Sequence, residues 1–318
     1  MSAVYNVNSL PMRTAPDTAT APSRRERLRD AVLRGLIALL RAIARLPLPV
    51  LARTGRGLGR LLHSVLPRRV AIARTNIRLC FPELDEAEVR TLARRHFIGL
   101  GQGIMEALWG WWGRHDTLPE YRIDGLEHLQ AAQADGRGVL LYTGHFNASE
   151  LGTFFLTLHA PISAIYRPND LPPVDEAINA GRLRHVRALY PKDQPLAMVR
   201  ALREGAALWI APDQSFEGKQ SAFLPFFGIR CATNTATPQL ARMGHARILP
   251  FFVARGEDGL SYHLTLLPPV EGLPSGDDSA DTQALNALLE AHIRRVPDQY
   301  LWGHRRFKDL PDGQPSPY

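Results

Sequence analysis

Apolar and polar positions divide the chain into two kinds of segment. In RRERLRDAVLRGLIALLRAIARLPLPV, beginning at Arg24, Val32, Leu36, Leu39, Ile43 and Leu46 gather on one side of a helical wheel, and Arg27, Arg34, Arg41 and Arg45 on the other. This predicts an amphipathic helix. Leu48 to Leu66 continues as an apolar run dotted with Gly55, Gly57 and Gly59, which weaken the case for a rigid helix, and stops at Pro67. Arg68, Arg69, Arg74 and Arg78 then precede Phe81-Pro82, a helix stop. Asp85 and Glu88 have the spacing of a capping box for a helix reaching to about residue 110, with Trp109, Trp111 and Trp112 crowding its end.

From residue 138 short apolar runs alternate with helical patterns. Strands are expected over 138–143, 162–166, 206–211 and 247–254, with 261–267 as an edge strand. Helices are expected over 148–159, 174–188, 195–204, 234–243 and 281–294, and 271–280 as a loop. The fold class is α/β, a central mostly parallel or mixed sheet flanked by helices, preceded by an N-terminal amphipathic helical region. Three parts follow: a lead without periodicity over 1–23, a membrane-associating helical region over 24–115, and a catalytic α/β domain over 116–318.

Length and composition narrow the class. A chain of 318 residues with 45% hydrophobic positions can build one large core, and a mean hydropathy of −0.16 argues against a polytopic membrane protein. Cys80 and Cys231 are too far apart in sequence to suggest a metal motif. The net charge of +7 is concentrated in the N-terminal third and suits anionic lipid, nucleic acid or an acidic carrier protein, without choosing among them. No nucleic-acid-reading motif accompanies it. Arg34, Arg41 and Arg45 interrupt the first helix, against both a signal peptide and an ordinary spanning helix of about 20 apolar residues. Three placements stay open: in a membrane interface with arginines on lipid phosphates, which the pattern favours, tilted into the bilayer, or packed on the core. The three tryptophans suit a headgroup zone, an acyl groove or a core equally.

The segment that carries chemistry is Leu140-Leu141-Tyr142-Thr143-Gly144-His145-Phe146-Asn147-Ala148-Ser149-Glu150. His145 stands where a buried strand leaves the sheet, and Glu150 in the first turn of the next helix. Within one continuous helix that spacing would keep the side chains apart, whereas a strand-to-helix turn can fold the carboxylate back towards the imidazole. Glu150 is then expected to accept the Nδ1 proton, leaving Nε2 to deprotonate a substrate hydroxyl. No Gly-x-Ser-x-Gly elbow competes with this reading.

These residues and several later blocks resemble the bacterial lipid A late acyltransferases, the lauroyl and myristoyl transferases of lipopolysaccharide assembly, within the His-x4-Asp/Glu glycerolipid acyltransferase superfamily. The blocks are Asn76-Ile77-Arg78-Leu79-Cys80-Phe81-Pro82-Glu83-Leu84, His145 to Glu150, Tyr166-Arg167-Pro168, Asp213-Gln214, Phe226-Phe227-Gly228, and Gln299-Tyr300-Leu301-Trp302-Gly303-His304-Arg305-Arg306. The resemblance implies His145 as base, Glu150 as its orienting acid, and Arg167 on phosphate of a substrate or donor. Asp213, Arg305 and Arg306 join it as candidate substrate or donor ligands, and Phe223, Phe226 and Phe227 as candidate walls of an acyl channel; His304 is read as structural. It further implies an acyl carrier protein or acyl-CoA donor, an anionic membrane lipid acceptor, no metal and no cofactor. The expected location is the cytoplasmic face of the bacterial inner membrane, peripheral or monotopic. An acceptor such as a lyso-glycerolipid, aminolipid or other glycolipid is the alternative within the chemistry. A non-catalytic membrane-binding protein is the alternative of another class, and it leaves His145 and Glu150 without a task.

Overall fold

The computed structural model describes residues 23–318, so the lead expected over 1–23 lies outside the described residues except for Ser23. Ser23 opens α1 (Arg24–Ile43) with a capping box: its hydroxyl accepts from the Glu26 amide at 3.2 Å, and the Glu26 carboxylate accepts from the Ser23 amide at 2.7 Å. No residue of α1 is buried, and Leu28, Val32, Leu36 and Leu39 are at least half exposed. Leu33, Ile37, Leu40 and Ile43 are half-buried, with Ile43 packed against the core, so one flank of the helix rests on the molecule while Val32, Leu36 and Leu39 stay open.

A short turn leads into α2 (Leu48–Val65), so the glycine-dotted run is helical after all. Its glycines serve close approach to α4 (Glu86–Trp112). A Cβ on Gly59 would lie 2.2 Å from the Phe97 carbonyl oxygen, and one on Gly101 would lie 2.3 Å from that of Gly55. Two helices in backbone contact need this small-residue seam, and it outweighs the propensity cost of about 1 kcal/mol per glycine. Between them, α3 (Pro67–Cys80) begins with Pro67 at its first turn and ends at Phe81, as Phe81-Pro82 requires. The capping box on α4 is present, with Asp85 accepting from the amides of Ala87 and Glu88.

The rest is the expected α/β arrangement. Its elements are β1 (Tyr121–Asp124), α5 (Leu126–Ala134), β2 (Val139–Tyr142), α6 (Ser149–Thr157), β3 (Ile162–Tyr166), α7 (Pro172–Arg182), β4 (Leu189–Pro191), α8 (Pro195–Arg203) and β5 (Ala207–Ile210). There follow β6 (Ser221–Phe226), β7 (Ile229–Asn234), α9 (Ala236–Gly244), β8 (Arg247–Arg255), β9 (Tyr262–Leu266) and α10 (Asp278–Arg295). Seven strands form one sheet in the order β1-β9-β8-β2-β5-β3-β4, parallel throughout except between β8 and β9, while β6 and β7 make a separate hairpin. The strand expected at an edge, β9, is interior, because β1 pairs along it. Alternation along β2 sends Leu140 and Tyr142 into a core shared with α3, α4, α8, α9 and α10, and Val139 and Leu141 into one shared with α5 and α6.

A buried ionic cluster locks α4 to the sheet. The Glu106 carboxylate accepts from Arg255 Nε at 2.8 Å and Nη2 at 2.5 Å, from the Tyr262 hydroxyl at 2.7 Å and from Gln102 Nε2 at 2.7 Å. Four donors converge on this one buried carboxylate and tie α4 to β8 and β9. Among the described residues no helix is long and apolar enough to cross a membrane.

Candidate functional site

The site follows from the way the chain leaves β2. After β2 it runs through α6 to β3 on one side of the sheet, whereas after β5 it runs on to β8 on the other side. Adjacent parallel strands whose connections diverge open a crevice at their carboxyl ends. Tyr142 pairs with Ile210 in the β2–β5 register. His145 and Asp213 each lie three positions further on, so the register carries an imidazole and a carboxylate to the same point of the edge.

There His145 Nδ1 and Asp213 Oδ1 are 2.6 Å apart, and the His145 amide donates to Asp213 Oδ2 at 3.1 Å. The Tyr300 hydroxyl donates to the same Oδ2 at 2.8 Å. The turn leaves no room for slack: a Cβ on Gly144 would meet Leu289 Cδ1 at 2.7 Å. From the far side the late segment is bound to the turn. Leu301 donates its amide to the His145 carbonyl at 2.9 Å, Asn147 donates its amide to the Gln299 carbonyl at 2.8 Å, and Phe146 bridges Tyr300 antiparallel.

Burial alone would push the His145 pKa down, yet the charge and hydrogen bond of Asp213, with a further contribution from Glu150, hold it above the ordinary histidine value. Burial works to raise the Asp213 pKa, but the charge of His145 and the hydrogen bonds from His145 and Tyr300 bring it to about 2. Asp213 is therefore a permanent anion, with its side chain 2% exposed, while the imidazole beside it is 35% exposed. Nδ1 is committed to Asp213. Nε2 has no hydrogen-bond partner among the described residues and can take a proton from a molecule entering the crevice.

The carboxylate on Nδ1 is thus Asp213, in the place expected for Glu150. Glu150 sits in the first turn of α6 and turns away to a different group: Arg182 at the end of α7 is ion-paired to its Oε1 and lies 3.3 Å from Oε2 through Nε. Trp111 Nε1 donates to Oε2 at 2.9 Å, and the Arg182 guanidinium lies 5.6 Å from the centre of the Trp111 ring. Asp213, expected among the substrate ligands, is instead enclosed on the histidine, where a substrate phosphate would meet its negative charge.

The remaining candidates separate. Arg167 follows β3 at the same edge, its side chain 70% exposed and 3.7 Å from Asp170. Arg305 is exposed, with its guanidinium over the Tyr318 ring at 5.9 Å. Arg306 is a correction: it is 3% exposed, donates to the Ala232 carbonyl and the Thr233 hydroxyl at 2.8 Å each, and lies over Phe226. Its fork is used inside the molecule and is closed to phosphate. Phe223, Phe226 and Phe227 do not share one surface. Strand alternation leaves Phe223 40% exposed and Phe226 1% exposed in the core, and Phe227, half-buried, packs on Phe81 beneath Arg294. Arg182 and Ser215 escaped the sequence reading, and Tyr300 entered it only as part of the late block, without its role on Asp213. For Asp213 a signal existed, since VLLYTGH and ALWIAPD are apolar runs that put His145 and Asp213 at matching offsets.

Comparison with known proteins bears on this geometry. Residues 24–309 match the family described as bacterial lipid A biosynthesis acyltransferase. The lipid A biosynthesis lauroyltransferase of Escherichia coli strain K12 is 39% identical over 285 residues, covering 89% of this chain and 93% of that protein. The palmitoleoyltransferase of the same strain is 36% identical over 275 residues, covering 86% and 90%. A lipid A biosynthesis acyltransferase of Haemophilus influenzae is 33% identical over 288 residues, covering 89% and 92%.

Proposed function

The chain belongs to the bacterial lipid A biosynthesis acyltransferases, and from that membership we propose that His145, oriented by Asp213, is the general base that transfers a fatty acyl group from a carrier thioester to a hydroxyl of a lipid A precursor. The observation that carries the reading is an imidazole with Nδ1 fixed on a buried anion and Nε2 open at the carboxyl edge of the sheet. As the acceptor oxygen bonds to the thioester carbonyl carbon, its proton passes to Nε2. The C–S bond then breaks, and the thiolate leaves or takes the proton back from the imidazolium. A thiolate is a good enough leaving group to need little acid assistance, so one histidine suffices. The imidazolium formed on the way is stabilised by Asp213 and, at longer range, by Glu150.

Glu150 takes part through Arg182: the carboxylate and Trp111 fix the guanidinium, whose remaining N–H groups face a phosphate of the acceptor. Arg167 and Arg305, exposed near the same edge, add positive charge along the acceptor's approach. The donor is acyl carrier protein, whose acidic surface suits a chain with this basic excess, or coenzyme A. His145→Ala is expected to lower transfer from an acyl thioester to a lipid A precursor by about 10³-fold or more with the fold intact. Turnover near wild type in that variant would refute the base assignment.

The exposed apolar row of α1, backed by arginines, supports a helix lying in the cytoplasmic surface of the inner membrane, where the acceptor is presented. Each arginine near an anionic surface contributes about 1 kcal/mol, so Arg27→Glu with Arg34→Glu should weaken co-sedimentation with anionic vesicles by tenfold or more. Equal binding by the variant and the wild type would remove α1 from the interface.

A further inference from the structure

One histidine beside the catalytic pair has no task in this scheme. His304 lies in the late segment that runs along the carboxyl edge, past Leu301 on the His145 carbonyl and Tyr300 on Asp213. Its backbone is pinned: Asn76 Nδ2 donates to the carbonyls of Trp302 and His304 at 2.7 Å each, and the Arg306 amide donates to the His304 carbonyl at 2.9 Å. The ring reaches the loop that carries Asp213, where the Ser215 amide donates to Nε2 at 3.3 Å.

That hydrogen bond settles the tautomer. A backbone amide can only donate, so Nε2 is the acceptor and the ring proton resides on Nδ1. Burial lowers the His304 pKa, and of the neighbouring charges Asp213 opposes this while His145, Arg306 and Lys308 add to it. The ring is therefore neutral at neutral pH. Its Nδ1–H has no acceptor among the described residues, and the side chain is partly open to solvent. The ring thus offers an uncharged N–H donor on the late segment, held against the loop that follows the base's own carboxylate.

Attack on a thioester creates a negative oxygen that must be met by a donor already in place. We infer that His304 donates its Nδ1–H to the thioester carbonyl oxygen and stabilises the oxyanion. When the acceptor C–O bond forms, the carbonyl π pair moves onto that oxygen and the hydrogen bond strengthens; when the carbonyl re-forms, the thiolate departs. His304 keeps its proton throughout. A neutral imidazole suits this role because it does not repel the imidazolium forming on His145. The inference rests on the reading of His145 as base.

Two amide substitutions separate catalysis from architecture. In His304→Asn the amide nitrogen can stand in for Nδ1, preserving the donor and losing the acceptor for Ser215. In His304→Gln the amide reaches the place of Nε2, preserving that acceptor and losing the donor. With acyl carrier protein thioester and lipid A precursor as probes, kcat of His304→Gln should fall by about 10²-fold, with both KM values and the acidic limb of the pH profile unchanged. His304→Asn should stay within about tenfold of wild type. The reverse order, a loss confined to KM, or wild-type kcat in both variants would overturn the assignment. If His304→Gln melts early, His304→Asn decides alone, since a 10²-fold loss in a folded His304→Asn contradicts the inference. His145→Ala assayed in parallel keeps the two readings apart: activity there ends the base assignment, whereas an inactive His145→Ala beside fully active His304 variants ends only the oxyanion role.

Discussion

Two carboxylates flank His145, and their surroundings differ in every respect that matters to charge. Asp213 is 2% exposed and accepts three hydrogen bonds, two from His145 and one from Tyr300. Glu150 is 34% exposed and spends its oxygens on Arg182 and Trp111. The first sits where polar groups interact strongly and little water competes; the second shares a half-open corner with a guanidinium that already neutralises it. Closeness in sequence favours Glu150 as the partner of the histidine. Strand register favours Asp213, and register wins, because β2 and β5 bring their carboxyl ends together whatever the length of chain between them.

The larger of the two expected effects comes from the buried corner. Asp213→Asn keeps the shape, but its amide can donate to Nδ1 and hold the imidazole in the tautomer whose Nε2 already bears a proton. Loss of about 10³-fold in kcat/KM is expected. The pH profile carries a sign as well. Catalysis needs neutral His145, so wild-type activity falls as pH drops through a pKa held above the ordinary histidine value largely by Asp213. In Asp213→Asn the residual activity should therefore survive to lower pH than in the wild type. An unmoved acidic limb, or a loss smaller than about tenfold, would mean that Asp213 only braces the turn.

Much of this was legible in the residue pattern. The strands β2, β3, β5 and β8 are buried apolar runs bounded by turn residues, and Asp85 announces α4 through its capping box. What escaped depends on partners distant in the chain. The strands β1 and β4 span four and three residues, too short to show a pattern of their own, and become strands by pairing with β9 and β3. The glycines of α2 look like helix breakers until α4 is seen against them. His145 was visible as a base because the signal lies in one short segment. Its carboxylate was not, because choosing between Glu150 and Asp213 requires knowing that β2 and β5 are neighbours. Arg306 and Phe226 illustrate the converse: an arginine and a phenylalanine near a site suggest ligand contacts, yet the two stack on each other in the interior.

The smaller effect should come from the half-open corner, and it tests whether the two carboxylates act by different routes. If Glu150 acts by holding Arg182 for an acceptor phosphate, Glu150→Gln frees a long cationic side chain, and the cost appears mainly in substrate binding. A loosened charge-assisted contact of about 1.5 kcal/mol corresponds to a rise in acceptor KM of about tenfold. The acidic limb should shift only slightly to lower pH, since Glu150 contributes less than Asp213 to the raised His145 pKa. Arg182→Gln should raise the same KM by a similar factor, and the double variant should be no worse than the poorer single one, because the second substitution removes a group whose partner has already gone. Multiplying losses in the double variant would show that Glu150 and Arg182 serve separate ends. A fall in kcat and a limb shift as large as those of Asp213→Asn would put Glu150 on the histidine during catalysis and erase the distinction between the two corners.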